Sequence, residues 1–339
     1  MPTLTQQALE TITADIFCHA GAPQDLAQQV AQVLVDNHMA GHDSHGILRI
    51  PEYLKSIEDG EIVVDARPQI IQDTPVSALV QGHWALGQVT GIYAADVAIA
   101  KAKANHVAVV SVVQAAHTGR LAAFTERAAR QNVVMFMTIG TVDRPMTAPF
   151  GGAAAILGTN PVAFSLPNPQ GAPVTLDIAT SAIAAGKVKV AKARHEELPE
   201  GVILNKSGQP SVNPQDFLDG GFLLPFGGHK GYALAVIAEL LSGPLVGADA
   251  FAGVTPRSGI FLFAMDAGLF RDQPDYAQAL AKRLGQIKAI PPAQGFSEVL
   301  IPGEPEARVR AQREREGIPI PEDTWHAVKT AALKVGCRL

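Results

Sequence analysis

Six residues, Ser44-His45-Gly46-Ile47-Leu48-Arg49, set a hydroxyl, an imidazole and a guanidinium close together, just after the polar run Gly41-His42-Asp43. An imidazole can deliver or take a proton, while a guanidinium grips a carboxylate through two parallel N–H bonds. If the chain is helical from Ile47 onward, His45 and Arg49 stand four apart on one face. That pairing suits a small 2-oxo acid, with its carboxylate held at one end and its carbonyl oxygen facing an acid at the other. On its own, each residue has a plainer use: His45 as a cap, Arg49 as a surface charge.

The elements that must position this cluster are legible from periodicity. Residues 4–40 carry two helical patterns, with Val30, Val33, Leu34 and His38 at helical spacing. Gly41 stops the second, and Asp43 or Ser44 can cap a helix running to about Asp59. Residues 88–104 are Ala-rich and helical, and the run Val107 to Val113 reads as a buried strand. A helix after Thr118 and a strand over Val133 to Ile139 follow, then short strands at Val162 to Leu166 and Val174 to Ile178. The apolar stretch Tyr232 to Gly247, broken by Glu239, Ser242, Gly243 and Pro244, is too short to span a bilayer and is read as a core helix. A strand over Gly259 to Met265 precedes further helices, and the charged run Glu306 to Glu316 is read as helical and solvated. Helices at both ends around a strand-rich middle predict one helical domain from residues 1–75 and 300–339. The strand-rich region, 76–299, is then inserted between them.

Composition narrows the function. The 339 residues carry a formal charge of −5 and no basic run, which disfavours nucleic acid or an anionic membrane as partner. Two cysteines, Cys18 and Cys337, build no disulfide framework, so a cytoplasmic protein with free thiols is expected. No Gly-x-Gly-x-x-Gly follows a strand with an acidic residue about 20 positions on, so an ordinary Rossmann unit is not supported. Other turns can still hold phosphates. His117-Thr118-Gly119-Arg120-Leu121 lies between a strand and a helix start, and Gly227-Gly228-His229-Lys230-Gly231 sets a cation at another helix start. Pro149-Phe150-Gly151-Gly152 and Leu157-Gly158-Thr159-Asn160-Pro161 are tight turns that a flat ligand can approach.

In this order the motifs resemble the malate/L-lactate dehydrogenase-type oxidoreductases, a family distinct from the Rossmann lactate dehydrogenases. The resemblance runs from Asn37 to about Trp325. It is carried by Asp43-Ser44-His45-Gly46, Gly87-Gln88, His117-x-Gly, Ala148-Pro149-Phe150-Gly151-Gly152, Gly158-Thr159-Asn160-Pro161, Leu176-Asp177-Ile178-Ala179-Thr180-Ser181, His229-Lys230-Gly231-Tyr232 and Pro302-Gly303-Glu304. It implies an α+β fold with a strand-rich, non-Rossmann NAD(P)-binding domain like that of sulfolactate dehydrogenase, and a homodimer with its site near the subunit contact. It also implies proton transfer by Ser44 and His45, with His117 as a second imidazole that can serve as the base. Arg49 would take the substrate carboxylate, and Thr159 would touch the substrate. The dinucleotide would lie on His117, Thr118, Gly119, Arg120, Leu121, Asp177, Ile178, Ala179, His229, Lys230, Gly303 and Glu304. NAD and NADP both remain open, with NAD favoured because no Arg/Lys cluster awaits a 2′-phosphate.

Some positions depart from relatives in the family. Cyclic-imine (piperideine or pyrroline-2-carboxylate) reductases carry His-Gly-Asp where this chain has Ala185-Gly186-Lys187, which favours a 2-oxo acid over an imine. Ala115-Ala116-His117 replaces a Ser-Asn-His, and the loop Ile139 to Met146 carries Asp143 and Arg144 in place of a neutral polar segment. With Arg49 committed to one carboxylate, Arg144 becomes a candidate for a second polar group on the substrate.

Rival chemistries are weaker. His38, His42 and His45 would cluster for zinc on an uninterrupted helix, but Gly41 and the Asp43-Ser44 cap disperse them, and Met39 stands where an HExxH site needs Glu. No metal is therefore expected. Ser44 lies outside any Gly-x-Ser-x-Gly elbow, which argues against a hydrolase. A binding protein without catalysis would be expected to have lost His45 or Lys230.

Overall fold

The computed structural model describes residues 2–141, 145–250 and 258–339. The chain opens with β1 (Thr3–Leu4), α1 (Gln6–His19) and α2 (Gln24–Met39), whose apolar stripes face one another. Two 3₁₀ turns, Asp43–His45 and Ile47–Arg49, lead into α3 (Ile50–Glu58). There is no continuous helix from Ser44, because Gly46 takes ψ −145° and ends the first turn. His45 and Arg49 therefore do not share one helix face as expected.

Next come β2 (Gln69–Asp73), β3 (Ser77–Gln81), α4 (Gly87–Asn105), β4 (Val107–Val113), α5 (Ala122–Ala129) and β5 (Val133–Thr141). They are followed by β6 (Val162–Leu166), β7 (Val174–Ile178), α6 (Ala185–Ala193), β8 (Ile203–Leu204), β9 (Pro210–Ser211), α7 (Pro214–Leu218) and β10 (Phe222–Leu223). The chain ends with α8 (His229–Ser242), β11 (Ser258–Asp266), α9 (Gln273–Lys288), α10 (Glu304–Glu316), β12 (Ile318–Pro319) and α11 (Glu322–Lys334).

The main sheet has the order β2-β3-β4-β11-β5-β6-β7. Among its described strands only β3 and β4 run parallel, so this is not the parallel sheet of a Rossmann domain. The alanines Ala94, Ala95, Ala98 and Ala102 let α4 lie close to the sheet, where they meet Val110, Val112, Ile260 and Leu262. The helix α8 covers the opposite face, where a Cβ on Gly140 would come within 3.1 Å of the Glu239 backbone. A small sheet, β10-β8-β9, packs with Val188 and Leu198 into its own core.

A second large core gathers Leu9, Phe17, Leu34, Ile47 and Tyr53 with Ile318, Ile320 and Val328, and β1 pairs antiparallel with β12. Both chain ends thus enter one packing unit, to which Leu86 and Val89 of α4 also contribute. Two readings need correction. The helix α8 buries Gly231, Ala235, Ala238 and Ser242 but exposes Ile237 and Leu240, so it lies on a surface rather than inside a core. The helix α10 is highly charged and has no buried residue, yet one face of it is engaged by residues 36–43. No helix among the described residues is long and apolar enough to cross a membrane.

Candidate active site

The turn carrying Ser44 and His45 is held by groups from α2. His38, buried at the end of that helix, accepts the Ile47 N–H at Nε2 (3.0 Å). The acceptor role places its proton on Nδ1, which faces Asp43 Oδ1 at 2.8 Å. A Cβ on residue 46 would lie 2.2 Å from the His38 ring, so glycine is required there. Asn37 Nδ2 donates to the His45 carbonyl (2.9 Å), and Arg49 Nε donates to the Ser44 carbonyl (2.8 Å). Burial works to raise the Asp43 carboxyl, but hydrogen bonds and charge from His38 and Arg313 hold it well below the usual carboxylate range. In this arrangement the Nε2 lone pair of His38 is used on Ile47, and His42 Nε2 faces Glu306 at 3.3 Å.

His45 and His117 stack with ring centroids 6.2 Å apart and planes 24° from parallel. Ser44 Oγ lies 3.0 Å from His45 Nδ1. His117 Nδ1 is 2.7 Å from Tyr53 Oη, which in turn accepts from Gln88 Nε2 at 2.9 Å. Where the phenol donates to His117 Nδ1, a neutral His117 carries its proton on Nε2. Burial raises the Tyr53 hydroxyl, which keeps it a donor. His45 is pushed down to about 3, first by burial and then by electrostatic repulsion from the neighbouring His117, Arg49, His42 and Arg120. It is therefore neutral at physiological pH and able to accept a proton.

Arg49 sits beside this pair, with one terminal nitrogen on Glu52 Oε2 (2.6 Å). Sequence reasoning assigned no role to Tyr53, Gln88 or Asn37, although Tyr53 stands four after Arg49 on a helix and Gln88 belongs to the Gly87-Gln88 motif. Arg313 had no local signal at all.

The strand-to-helix turn 117–121 adjoins the imidazoles directly. Gly87 packs against it so closely that a Cβ would come within 2.3 Å of the His117 carbonyl. Among the described residues no protein acceptor takes the main-chain N–H groups of Thr118, Gly119, Arg120 or Leu121, and the buried Thr118 Oγ1 has no partner. Gly119 adopts φ +88°. A run of free main-chain donors ahead of α5 fits an anionic, hydroxyl-rich ligand such as a dinucleotide. The side chains of Arg120 and Leu121 are engaged within the chain. Arg120 is buried on Glu126 (2.5 Å) and Asp36 (3.4 Å), and Leu121 packs in the sheet core, which leaves their main-chain N–H groups for a ligand. Asp177 Oδ2 caps α5 by accepting the Ala122 N–H (2.7 Å), and burial raises its carboxyl.

Thr159 is bound to the end of β7, since its carbonyl accepts both the N–H and the hydroxyl of Thr180 at 2.9 Å. His229 and Lys230 are exposed at the start of α8, with the His229 ring edge-on to Phe150 at 6.0 Å. Neither a hydrogen bond nor a ring contact joins Thr159, His229 or Lys230 to His45 among the described residues. Gly303 approaches the backbone of Pro173 and Thr175, leaving about 3 Å for a Cβ, at a cleft of ≈ 340 Å³ lined also by Glu126, Glu306 and Arg310. The Glu304 carboxylate is bonded to Lys288, Arg308 and the Ile301 N–H. Asp143 and Arg144 lie outside the described residues.

The malate/L-lactate dehydrogenase family matches residues 4–329. L-sulfolactate dehydrogenase of Methanocaldococcus jannaschii is 34% identical over 96% of this chain and 95% of its own length. Hydroxycarboxylate dehydrogenase B of Escherichia coli (strain K12) is 32% identical over 97% and 93%. Among solved structures, Δ1-piperideine-2-carboxylate reductase of Pseudomonas syringae pvar. tomato is 29% identical and superposes with a TM-score of 0.87, covering 98% of this chain and 100% of that one.

Proposed function

The chain belongs to the malate/L-lactate dehydrogenase family, and on that premise we propose that it interconverts a 2-oxo acid and a 2-hydroxy acid with NAD or NADP. The carrying observation is the stacked His45–His117 pair with Ser44 on His45 Nδ1 and Arg49 alongside. A bound nicotinamide supplies or accepts the hydride. Arg49 holds the substrate carboxylate, and His45 manages the proton at the reacting oxygen. In the oxidative direction a neutral His45 takes the hydroxyl proton directly. In the reductive direction it must first be protonated, and a carboxylate docked on Arg49 cancels part of the positive field that depresses it. His117, its Nδ1 occupied by Tyr53, offers Nε2–H as a hydrogen-bond donor to the developing alkoxide.

The backbone of residues 118–121, the strand end Asp177 to Ala179, His229, Lys230 and Gly303 would hold the dinucleotide. NAD is favoured over NADP because Arg120, Arg130 and Arg310 are already paired with Asp36 or Glu126. The shared core of both chain ends supports a helical domain of 1–75 with 300–339 and a nucleotide-binding region at 76–299. The exposed Ile237, Leu240 and Leu245 support a homodimer contact at α8. Two free thiols fit a reducing compartment, the cytoplasm. Arg144 remains our candidate for a second acidic group on the substrate.

NADH and NADPH oxidation across a panel of 2-oxo acids and cyclic imines tests this reading. Turnover of 2-oxo acids, fastest with NADH, is the expected result. Turnover of imines alone would overturn it.

A further inference from the structure

The helix α10 has no buried residue, but Glu306, Val309, Arg310 and Arg313 fall on one face of it and all meet the segment 36–43. Glu306 faces His42 at 3.3 Å, Val309 lies 3.2 Å from the Cβ position of Gly41, and Arg310 donates to Asp36 at 2.6 Å. Arg313 reaches furthest. One terminal nitrogen bonds Asp43 Oδ1 (2.6 Å) and the His38 carbonyl, and the other meets Asp43 Oδ2 at 3.2 Å. Its side chain is 13% exposed, whereas that of Asp43 is 42% exposed and without Arg313 would be held by His38 Nδ1 alone.

From Asp43 the linkage runs inward. The carboxylate faces Nδ1 of His38, and Nε2 of the same ring accepts the Ile47 N–H while the ring fills the space above Gly46. Residue 45 lies between these two anchor points, one on each side of it in the chain. We infer that Arg313 is a positioning residue for His45, acting through Asp43 and His38 to fix the 43–47 turn on which the imidazole is mounted. A planar guanidinium suits this task because it grips a carboxylate and a carbonyl together, and a lysine ammonium has no such fork.

The kinetic part of the test rests on the proposed oxidoreductase reading, and the spectroscopic part does not. In the full chain, Arg313→Ala should lower kcat for a 2-oxo acid by about 10²-fold while the NADH dissociation constant, read by fluorescence, stays within about twofold. Arg313→Lys should restore part of the loss. In ¹⁵N-histidine spectra, His38 and His45 should both shift in Arg313→Ala. Asp43→Asn should reproduce these effects, and the double variant should lose no more than the worse single one, because both act through one link. Additive losses, an unmoved His45 resonance, or equal losses of turnover and cofactor affinity would overturn the assignment. Should the wild type turn over no 2-oxo acid, the functional reading fails, and the resonances still decide the role of Arg313. Should Arg313→Ala fail to fold, Asp43→Asn carries both readouts.

Discussion

The turn at 37–53 and the glycine turns at 149–160 and 227–231 are both rich in polar and flexible residues, but they are built in opposite ways. In the first, His38, Asn37, Asp43, Ser44, Arg49 and Tyr53 have named partners within the chain, and the turn is locked by α2, α4 and α10. In the second, Phe150 and Ile156 are 58% and 65% exposed, His229 and Lys230 stand in solvent, and a Cβ on Gly151 or Gly227 would meet nothing within 4 Å, although Asn160 and Gly231 anchor the turns at their ends. Proton transfer needs a group fixed before the substrate arrives, since orientation gained beforehand lowers the barrier. Binding a large cofactor tolerates a surface that is completed by the ligand or by a second copy.

The sharpest way to break this comparison is to remove one group from each region. His45→Ala should lower turnover by about 10²–10⁴-fold and leave NADH affinity intact. Lys230→Ala should do the reverse, weakening the dinucleotide with a smaller effect on turnover at saturation. Stopped-flow turnover and NADH fluorescence titration read both. Near-normal turnover in His45→Ala would move the acid–base role to His117, and equal losses in the two variants would mean that the regions are not separable.

Much of this architecture could be read from the sequence because it is local. Val107 to Val113, Val162 to Leu166 and Val174 to Ile178 are apolar runs bounded by turn residues, and the strands take those limits. The pair β2 and β3 was not read, and every residue of β2 is exposed at the sheet edge, so no burial pattern marks it. Of the site, Ser44, His45, Arg49 and His117 could be named in advance from their motifs. The turn between them was misread as helix because Ile47-Leu48-Arg49 has helical residues and the deciding contact, His38 above Gly46, spans eight positions. Arg313 was illegible, since it lies 270 residues from Asp43 inside a run that has the composition of a solvated helix.

Glycine substitutions sharpen the contrast at a middle scale. Gly46→Ala puts a methyl group 2.2 Å from the His38 ring and must expel it or shift the turn, a cost of about 3 kcal/mol. Gly151→Ala meets nothing within 4 Å and suffers only the strain of φ +82°, about 1 kcal/mol. Denaturant unfolding compares them, and turnover should fall in Gly46→Ala alone. Equal destabilisation would mean that the 43–47 turn yields as readily as the exposed one.

The smallest effect tests what the locked turn costs the protein. An unfolded chain protonates histidine near pH 6.5, while folded His45 resists down to about 3 because burial, and then the neighbouring imidazoles and guanidinium groups, oppose its charge. Between those values the unfolded state binds a proton that the folded state refuses, so stability falls as the pH drops through this window. Above it the two states agree and His45 carries no penalty. His45→Gln is neutral at every pH and escapes the loss, so the variant should gain on the wild type by roughly 1–2 kcal/mol at pH 5 and by almost nothing at pH 8. The low carboxyl of Asp43 contributes stability that is lost only at far lower pH, and it is common to both proteins, so it does not enter the difference. Melting temperatures of the two proteins across pH 5–8 measure the effect. A gap that stays constant over that range would show that His45 is not held neutral by its surroundings, and the distinction between a locked 43–47 turn and the open turns at 149–160 and 227–231 would then lose its electrostatic half.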